Sequence, residues 1–553
     1  MTSLDWLVLV VTIGSIVGFG LYKSRAAANA DEFIRGGYDL RWPTIGLAVM
    51  ATQASAITFL SVPGQAYEDG MRFVQFYFGL PIAMVVISAV FVPIYYRLKV
   101  FTAYEFLESR FDRKTRLLAA ALFLVQRGLA AGITIYAPAI ILSTILGWTL
   151  EPTVIVMGGI VIVYTVTGGA KAVSQTQKQQ MIVMLGGMVV VAVVILLRLP
   201  ANVGVGDAVD VAGALGRMQI VDFRLNLESR YNVWSGITGG FFLALAYFGT
   251  DQSQVGRYLN GRSVTESRLG LLFNGVLKIP MQFGILFVGV LVFAFYQLST
   301  PPLFFNETLG ARLAPATLAA VEQRWEAAHV DKQGAVERYL QTHSDEARVE
   351  LRAAQAATEA LRVEAKALVK QSAPDIETKD SDYIFITFVK RWLPSGLFGL
   401  LVAVILSAAM SSIASELTAL GTTTTMDFYR TLLRPQASDR HVLLASKAFT
   451  IFWGLVAISF ATFASLLDNL IQAVNILGSI FYGSVLGIFL VAFFVKPVRG
   501  HAVFVGTVVA QISVIALYFA SDIGYLWFNV IGCLLVVVVA FFVQLFVESL
   551  GRR

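Results

Sequence analysis

Cysteine occurs once in 553 residues, histidine four times, and only 14% of the chain is charged. Soluble domains carry about 25% charged residues, so an ordinary water-soluble fold is excluded. Cys533 lies alone in the apolar run 530–536, which rules out an internal disulfide and a thiol metal site. His329, His343, His441 and His501 are scattered, without the spacing of a metal-ligand set. Paired carboxylates at catalytic spacing, a nucleophile–base set and a phosphate loop are also missing, so no enzyme chemistry is expected. The net charge of +6 does not point to nucleic acid, because the basic residues sit mostly in short loops. The N-terminus has no basic region, and Asp5 precedes the first apolar run. No cleaved signal peptide is expected from it.

What is abundant is apolar sequence: 57% of residues are hydrophobic, and the mean hydropathy is +0.71. Runs of roughly 20 apolar residues recur from end to end, each long enough to cross a bilayer. They predict an all-α polytopic membrane protein of about 13 spans, each of roughly that length. These fall near 4–22, 44–66, 73–97, 117–146, 152–168, 178–199, 233–257, 268–298, 393–426, 441–465, 469–495, 501–520 and 524–549. Lys and Arg cluster in alternate loops: Lys23 to Arg41, Arg97 to Arg116, Lys171 with Lys178, Arg257 to Arg268, Arg430 to Lys447, Lys496 with Arg499, and Arg552 with Arg553. The positive-inside rule then places the N-terminus outside and the C-terminus in the cytoplasm of a plasma (inner) membrane. Residues 300–382 break the pattern. They are polar and Ala-rich with apolar residues at helical spacing, which predicts one or two amphipathic helices in an external insert.

The stretch 50–64, Met-Ala-Thr-Gln-Ala-Ser-Ala-Ile-Thr-Phe-Leu-Ser-Val-Pro-Gly, is unusual for a membrane span. Small and hydroxyl residues crowd its middle, and Pro63-Gly64 is expected to interrupt its far part. Irregular backbone at membrane depth survives only where protein covers it or it lines a cavity. A broken helix of this kind frees carbonyls for an ion, so solute and cation are expected to bind here. Gln53, Thr58 and Gln75 would offer hydrogen bonds and Phe59 and Phe76 apolar walls. Charges inside spans are functional by default. Arg127 or Lys278 could hold a substrate carboxylate; equally, either could be neutralised internally by Glu416 or Asp251. Ala408, Ser411 and Ser412 share one helix face, a pattern that fits either a sodium site or close helix packing.

Several stretches together resemble the sodium:solute symporter family, nearest its iodide, monocarboxylate and multivitamin branch, with some sugar-branch features. They are Ser55 to Gly64 with Ala66-Tyr67, Pro93-Ile-Tyr-Tyr-Arg-Leu98, Thr102 to Phe111, Tyr136-Ala-Pro138, Tyr164 to Val173 and Tyr247 to Tyr258. The resemblance covers roughly 44–298 and 383–497 and leaves the insert outside. It implies a LeuT-like core of two inverted five-helix repeats, 44–199 and 233–495, the second interrupted by the insert. Residues 1–43 would add an N-terminal helix and cytoplasmic loop, 200–232 an external loop, and 496–553 two C-terminal helices.

It also implies a sodium site built from Ala51, Ala54, Ala408, Ser411 and Ser412. Lys278 matches a substrate-contacting lysine of the sugar branch, Tyr247 resembles an inner-gate tyrosine, and Asp251 near the cytoplasmic face reads as gate or structural. Many relatives carry an Asp where this chain has Gln177, and Ala414 stands where a second-site hydroxyl is expected, although Ser415 remains. One sodium per cycle is therefore expected. The function so implied is sodium-coupled symport of a small organic solute, an organic acid slightly ahead of a sugar, by a monomer in the lipid bilayer. Glu416, with Ser415 nearby, leaves proton coupling as the alternative. A transporter-derived solute sensor is a third reading.

Overall fold

The computed structural model describes residues 1–24, 40–98, 100–462 and 469–551. Their regular structure is helical, and the isolated bridge from Leu40 to Gly261 is the single β contact among them. Ten helical runs among the described residues are long and apolar enough to cross a bilayer. The thirteen expected spans are not matched by thirteen unbroken helices. The first lies in α1 (Ser3–Ser24), whose apolar part is short. The second is split into α2 (Trp42–Gln53) and α3 (Ala56–Asp69). A 3₁₀ segment, Gly70–Tyr77, then leads into α4 (Leu80–Val86), a π turn and α5 (Val92–Leu98). Arg25, Arg35 and residues 463–465, used in the reading of orientation and spans, lie outside the described residues.

The break between α2 and α3 falls at Ala54 and Ser55, not at Pro63-Gly64. Ala54 turns to ψ 73° and Ser55 to ψ 176°, both outside the helical basin. Pro63 stays inside α3. It forfeits one backbone hydrogen bond there, a loss that packed neighbours make tolerable at membrane depth. The packing is close: a Cβ on Gly289 would sit 2.3 Å from the Pro63 carbonyl oxygen.

The next two elements are long. Asp112 caps α6 (Arg113–Leu146) by accepting from Thr115 N at 2.8 Å, and Gly147, at φ 69°, ends it. Helical backbone then runs through α7 (Leu150–Leu197), which holds two membrane-length segments. Tyr164 Oη lies 3.1 Å from Thr176 Oγ1. A straight helix would separate those residues by about 18 Å, so α7 doubles back between them.

After the short α8 (Val205–Ala214), a π turn leads into α9 (Gly240–Thr250), which stops at Asp251; α10 (Gln252–Tyr258) follows. The expected span 233–257 is thus a second broken helix. Long α11 (Val264–Leu298) packs along α2, α3 and the 3₁₀ segment.

The insert forms two helices, α12 (Pro315–Thr342) and α13 (Asp345–Ser372), where its periodicity predicted one or two. They pack on each other around Val321, Trp325, Ala365 and Val369 at one end and Val336, Tyr339 and Leu351 at the other. Then come α14 (Ser381–Trp392), α15 (Leu397–Thr423), α16 (Asp439–Ala461), α17 (Leu470–Phe494), α18 (Gly500–Ala520) and α19 (Leu526–Gly551). The start of α1 and the insert lie at the same end of the bundle. Asp5 Oδ1 there accepts from Gly396 N at 2.7 Å, and Arg217 of the 200–232 loop pairs with Glu359 at 3.2 Å. At the opposite end Arg116 pairs with Asp427 at 2.7 Å and Glu108 at 2.8 Å.

Candidate functional site

The broken helix meets α15 where its small residues allow close approach. Ala51, Ala54 and Ala408 are buried, as are Ser411 and Ser412. Ser412 Oγ lies 3.4 Å from the Ala51 carbonyl oxygen and 3.3 Å from that of Thr52. Ser411 Oγ is buried with no hydrogen-bond partner among the described residues. Leaving a buried hydroxyl unmatched costs about 1–3 kcal/mol unless something fills it. Neutral carbonyls and hydroxyls are the oxygen ligands a hard cation takes, so these residues fit a sodium ion without a fixed counter-charge. Ala54 lies at the start of the break: its N–H still donates to the Met50 carbonyl at 2.7 Å, while its ψ of 73° turns the backbone out of the helix at its own carbonyl.

Gln177 reaches the same place from α7. Its Nε2 donates to Thr52 Oγ1 at 2.9 Å and to Ser415 Oγ at 3.2 Å, while Ser415 Oγ donates to the Ser411 carbonyl at 2.9 Å. A neutral amide thus bridges the broken helix and α15 where an acid is expected from the family pattern. Ala414 is buried beside them and adds no hydroxyl.

A cavity of about 80 Å³ lies beside this contact. Gln53, Ser55 and Thr58 line it from the broken helix, and Phe76 and Tyr77 from the 3₁₀ segment. Arg127 and Thr134 come from α6, Tyr247 from α9, Glu416 from α15, and Asn475 and Tyr482 from α17. Of the residues expected to touch solute, Gln53, Thr58, Phe76 and Arg127 are brought to it.

Three are not. Gln75 is spent on backbone: its Nε2 donates to the Tyr231 carbonyl at 3.2 Å and its Oε1 accepts from Asp222 N at 3.0 Å, fastening the 200–232 loop. Phe59 is fully buried away from the cavity wall. Lys278 is also fully buried, and its Nζ lies 5.6 Å from the centre of the Tyr77 ring; it touches a wall residue, not the cavity. The cause is rotational: Lys278 sits on the face of α11 that packs toward the 3₁₀ segment.

Arg127 is held by its surroundings. Nη1 donates to Glu416 Oε1 at 3.0 Å; Nη2 donates to Asp251 Oδ2 and, at 2.6 Å, to Tyr482 Oη. Tyr482 Oη donates on to Asp251 at 2.9 Å. Asp251 also caps α10, accepting from Ser253 N at 2.9 Å. It therefore lies beside Arg127, and the next residue, Gln252, exchanges hydrogen bonds with the backbone of Phe101 and Ala103, in the loop whose Thr102 donates to Asp427 at the Arg116 end. The break between α9 and α10 puts it there. Tyr247 packs against this network: Arg127 lies 5.4 Å over its ring, its ring centre is 5.8 Å from that of Tyr482, and its Oη accepts from Gln254 Nε2 at 2.6 Å.

At the insert-bearing end, Asp382 Oδ1 accepts from Asn469 Nδ2 at 3.1 Å, and that amide reaches the Ser61 carbonyl of α3 at 3.4 Å. A wider pocket of about 610 Å³, lined partly by Asp382, opens there. Thr52, Tyr482, Asn475 and Asn469 escaped the sequence reading. Tyr482 and Asn475 are single polar residues in an apolar run, Thr52 is one of several polar residues in its stretch and Asn469 follows Asp468; nothing in spacing separates such residues from packing.

Comparison with known proteins fits this architecture. The model of the sodium:solute symporter family matches residues 33–319 and 361–510. The unmatched interval between them falls inside α12 and α13. The sodium-coupled monocarboxylate transporter 1 of Xenopus laevis is 26% identical over 491 residues, covering 88% of this chain and 67% of that protein. The human sodium/iodide cotransporter is 31% identical over 263 residues, covering 48% of this chain and 40% of that protein. The sodium-dependent multivitamin transporter of Oryctolagus cuniculus is 25% identical, covering 81% of this chain and 59% of that protein. A Na⁺-coupled sialic acid symporter solved in a substrate-bound, outward-open state superposes with a TM-score of 0.77, covering 98% of both chains at 21% identity, and establishes the shared LeuT-like fold. The chain belongs to the sodium:solute symporter family, transporters that couple sodium to the movement of a small solute.

Proposed function

We propose that this chain carries a small organic solute together with sodium by alternating access, with the ion held by Ala51, Ala54, Ala408, Ser411 and Ser412. The observation that carries the site is the unpartnered, buried Ser411 hydroxyl next to Ser412, whose Oγ already lies against the Ala51 and Thr52 carbonyls. An ion there would tie α2 to α15 and so favour one side of the transport cycle. That is a coupling free energy between ion and solute sites. The solute would sit against Gln53, Thr58, Phe76 and Arg127. Tyr247 and Asp251, the latter through Arg127 and Tyr482, would close its inner side.

Two broken helices, at Ala54-Ser55 and at Asp251, support inverted repeats over 44–199 and 233–495. One sodium per cycle follows from Gln177, whose amide uses Thr52 and Ser415 and brings no negative charge. The basic-loop pattern supports the N-terminus outside, and the membrane in this reading is the plasma membrane. The transporting unit in this reading is a monomer, with the ion site and the cavity built inside one helical bundle. The relatives described above are named for monocarboxylates, iodide and vitamins. An organic acid would enter beside two carboxylates, with only the Nε of Arg127 left unpartnered to meet it.

The test is thermal unfolding of the purified protein in sodium against potassium at equal ionic strength. A ligand that binds only the folded state raises apparent stability by mass action. The wild type is expected to gain stability selectively in sodium, with a one-site dose response, and the Ser411→Ala/Ser412→Ala variant to lose that gain. An undiminished sodium response in the variant would show that the ion binds elsewhere.

A further inference from the structure

We infer that the solute taken by the central cavity bears no net negative charge and donates an N–H or O–H to Glu416 Oε2. This rests on the transport reading above and narrows its solute class. Glu416 is buried, 7% exposed, and lines the cavity. Its two oxygens differ. Oε1 accepts from Arg127 Nη1 at 3.0 Å and from Thr134 Oγ1 at 3.5 Å. Oε2 is buried with no hydrogen-bond partner among the described residues. A buried carboxylate oxygen left open costs more than a neutral acceptor in the same position, so the missing partner is a donor.

The balance of charge agrees. Arg127 is shared between two carboxylates, Glu416 and Asp251, so the cluster has one more acid than base. A simple anion entering beside it would bring a third negative charge and nothing to donate. The other fully buried polar atoms without a partner among the described wall residues are Gln53 Oε1, another acceptor, and two donors, Arg127 Nε and Asn475 Nδ2. Two open acceptors and two open donors match a solute with both functions. An amino-acid zwitterion, with its ammonium on Glu416, and an uncharged polyol, with hydroxyls there, share that chemistry. A bare monocarboxylate without a donor does not.

The experiment measures binding to the full-length protein in saturating sodium, by thermal shift, for four kinds of probe: L-serine, myo-inositol and D-galactose, ethanolamine, and pyruvate with acetate. A sodium shift seen with no solute present is the control for the transport reading; its absence would undo that reading before this one is reached. With the sodium shift in place, stabilisation by L-serine, by ethanolamine or by the polyols, and none by pyruvate or acetate, is the expected result. Stabilisation by the polyols identifies a hydroxyl as a sufficient donor; stabilisation by L-serine or ethanolamine without the polyols identifies the ammonium. Glu416→Gln should then weaken the binding solute by about tenfold or more, the usual worth of a hydrogen bond to a charged group. Stabilisation by pyruvate or acetate, or by none of the probes, overturns the inference. So does unchanged solute affinity in Glu416→Gln. If that variant does not fold, the probe ranking in the wild type still decides.

Discussion

A guanidinium at the middle of a membrane helix persists only where protein groups replace water around it. Arg127 meets that condition three times over, through Glu416, Asp251 and Tyr482. The sequence placed the arginine and both acids inside spans and left two roles open for it. The structure joins them into one network that also forms a cavity wall, so Arg127 is both paired and part of that wall. Breaking a buried pair by removing one partner strands the others, at a cost of about 3–5 kcal/mol. Arg127→Met, which leaves two buried carboxylates without a cation, is expected to destabilise the protein by about that amount. Arg127→Lys, which keeps the charge but not the fork, should lose less. Thermal unfolding in the absence of solute measures both; equal stability of Arg127→Met and wild type would mean that the network does not hold the bundle together.

At the scale of elements, both functional breaks fall where helix composition gives little warning. Proline was the obvious breaker in the first core segment, yet Pro63 is carried inside α3 while Ala54 and Ser55 leave the helical basin. Propensity is a weak prior, and tertiary contacts decide which irregularity is expressed. The contact that holds α3 in place is tight: α11 presents Gly289 to the Pro63 carbonyl with no room for a side chain. Gly289→Val is expected to push α3 from α11 and to cost about 1–3 kcal/mol, the range for overpacking a close-packed interior. Because α3 continues the broken helix, the sodium-dependent gain in stability should fall with it. A variant as stable and as sodium-responsive as the wild type would show that α3 and α11 can separate freely.

For the whole molecule, the insert is a second, water-facing structure fixed to one end of the bundle. Its hairpin carries a buried base: Lys332 is 2% exposed, its Nζ lying 3.1 Å from His329 Nε2 and 3.4 Å from Gln355 Oε1. Burial pushes Lys332 down from 10.5 to about 7 and His329 down to about 3. Between those two lysine values the unfolded hairpin holds a proton that the folded one has lost. Stability of the insert therefore rises with pH across that interval, by up to about 1.4 kcal/mol per pH unit, and the gain is absent below the folded value. Hydrogen exchange in α12 and α13, corrected for intrinsic rates, should slow as pH is raised from neutral toward 10. Lys332→Met should flatten that dependence. Identical pH profiles in the two proteins would remove Lys332 as its source.

The sequence by itself determined the class of molecule, because crossing a bilayer needs long apolar runs and those can be counted. It also determined the family and the helical character of the insert, and the family resemblance pointed to Ala408, Ser411 and Ser412 together with the stretch at 51–54. Each depends on local composition or on an ordered series of motifs. Only the tertiary structure decided what depends on rotation and distance between helices. Gln75 turns to a loop, Lys278 turns behind Tyr77, and Gln177 bridges Thr52 and Ser415. Asp251 and Arg127, 124 positions apart in the chain, meet because α9 stops where it does. Helical periodicity gives the face a residue occupies on its own helix. It does not say which helix that face meets, and polar groups in a membrane choose their partners from whatever packing brings within about 3 Å.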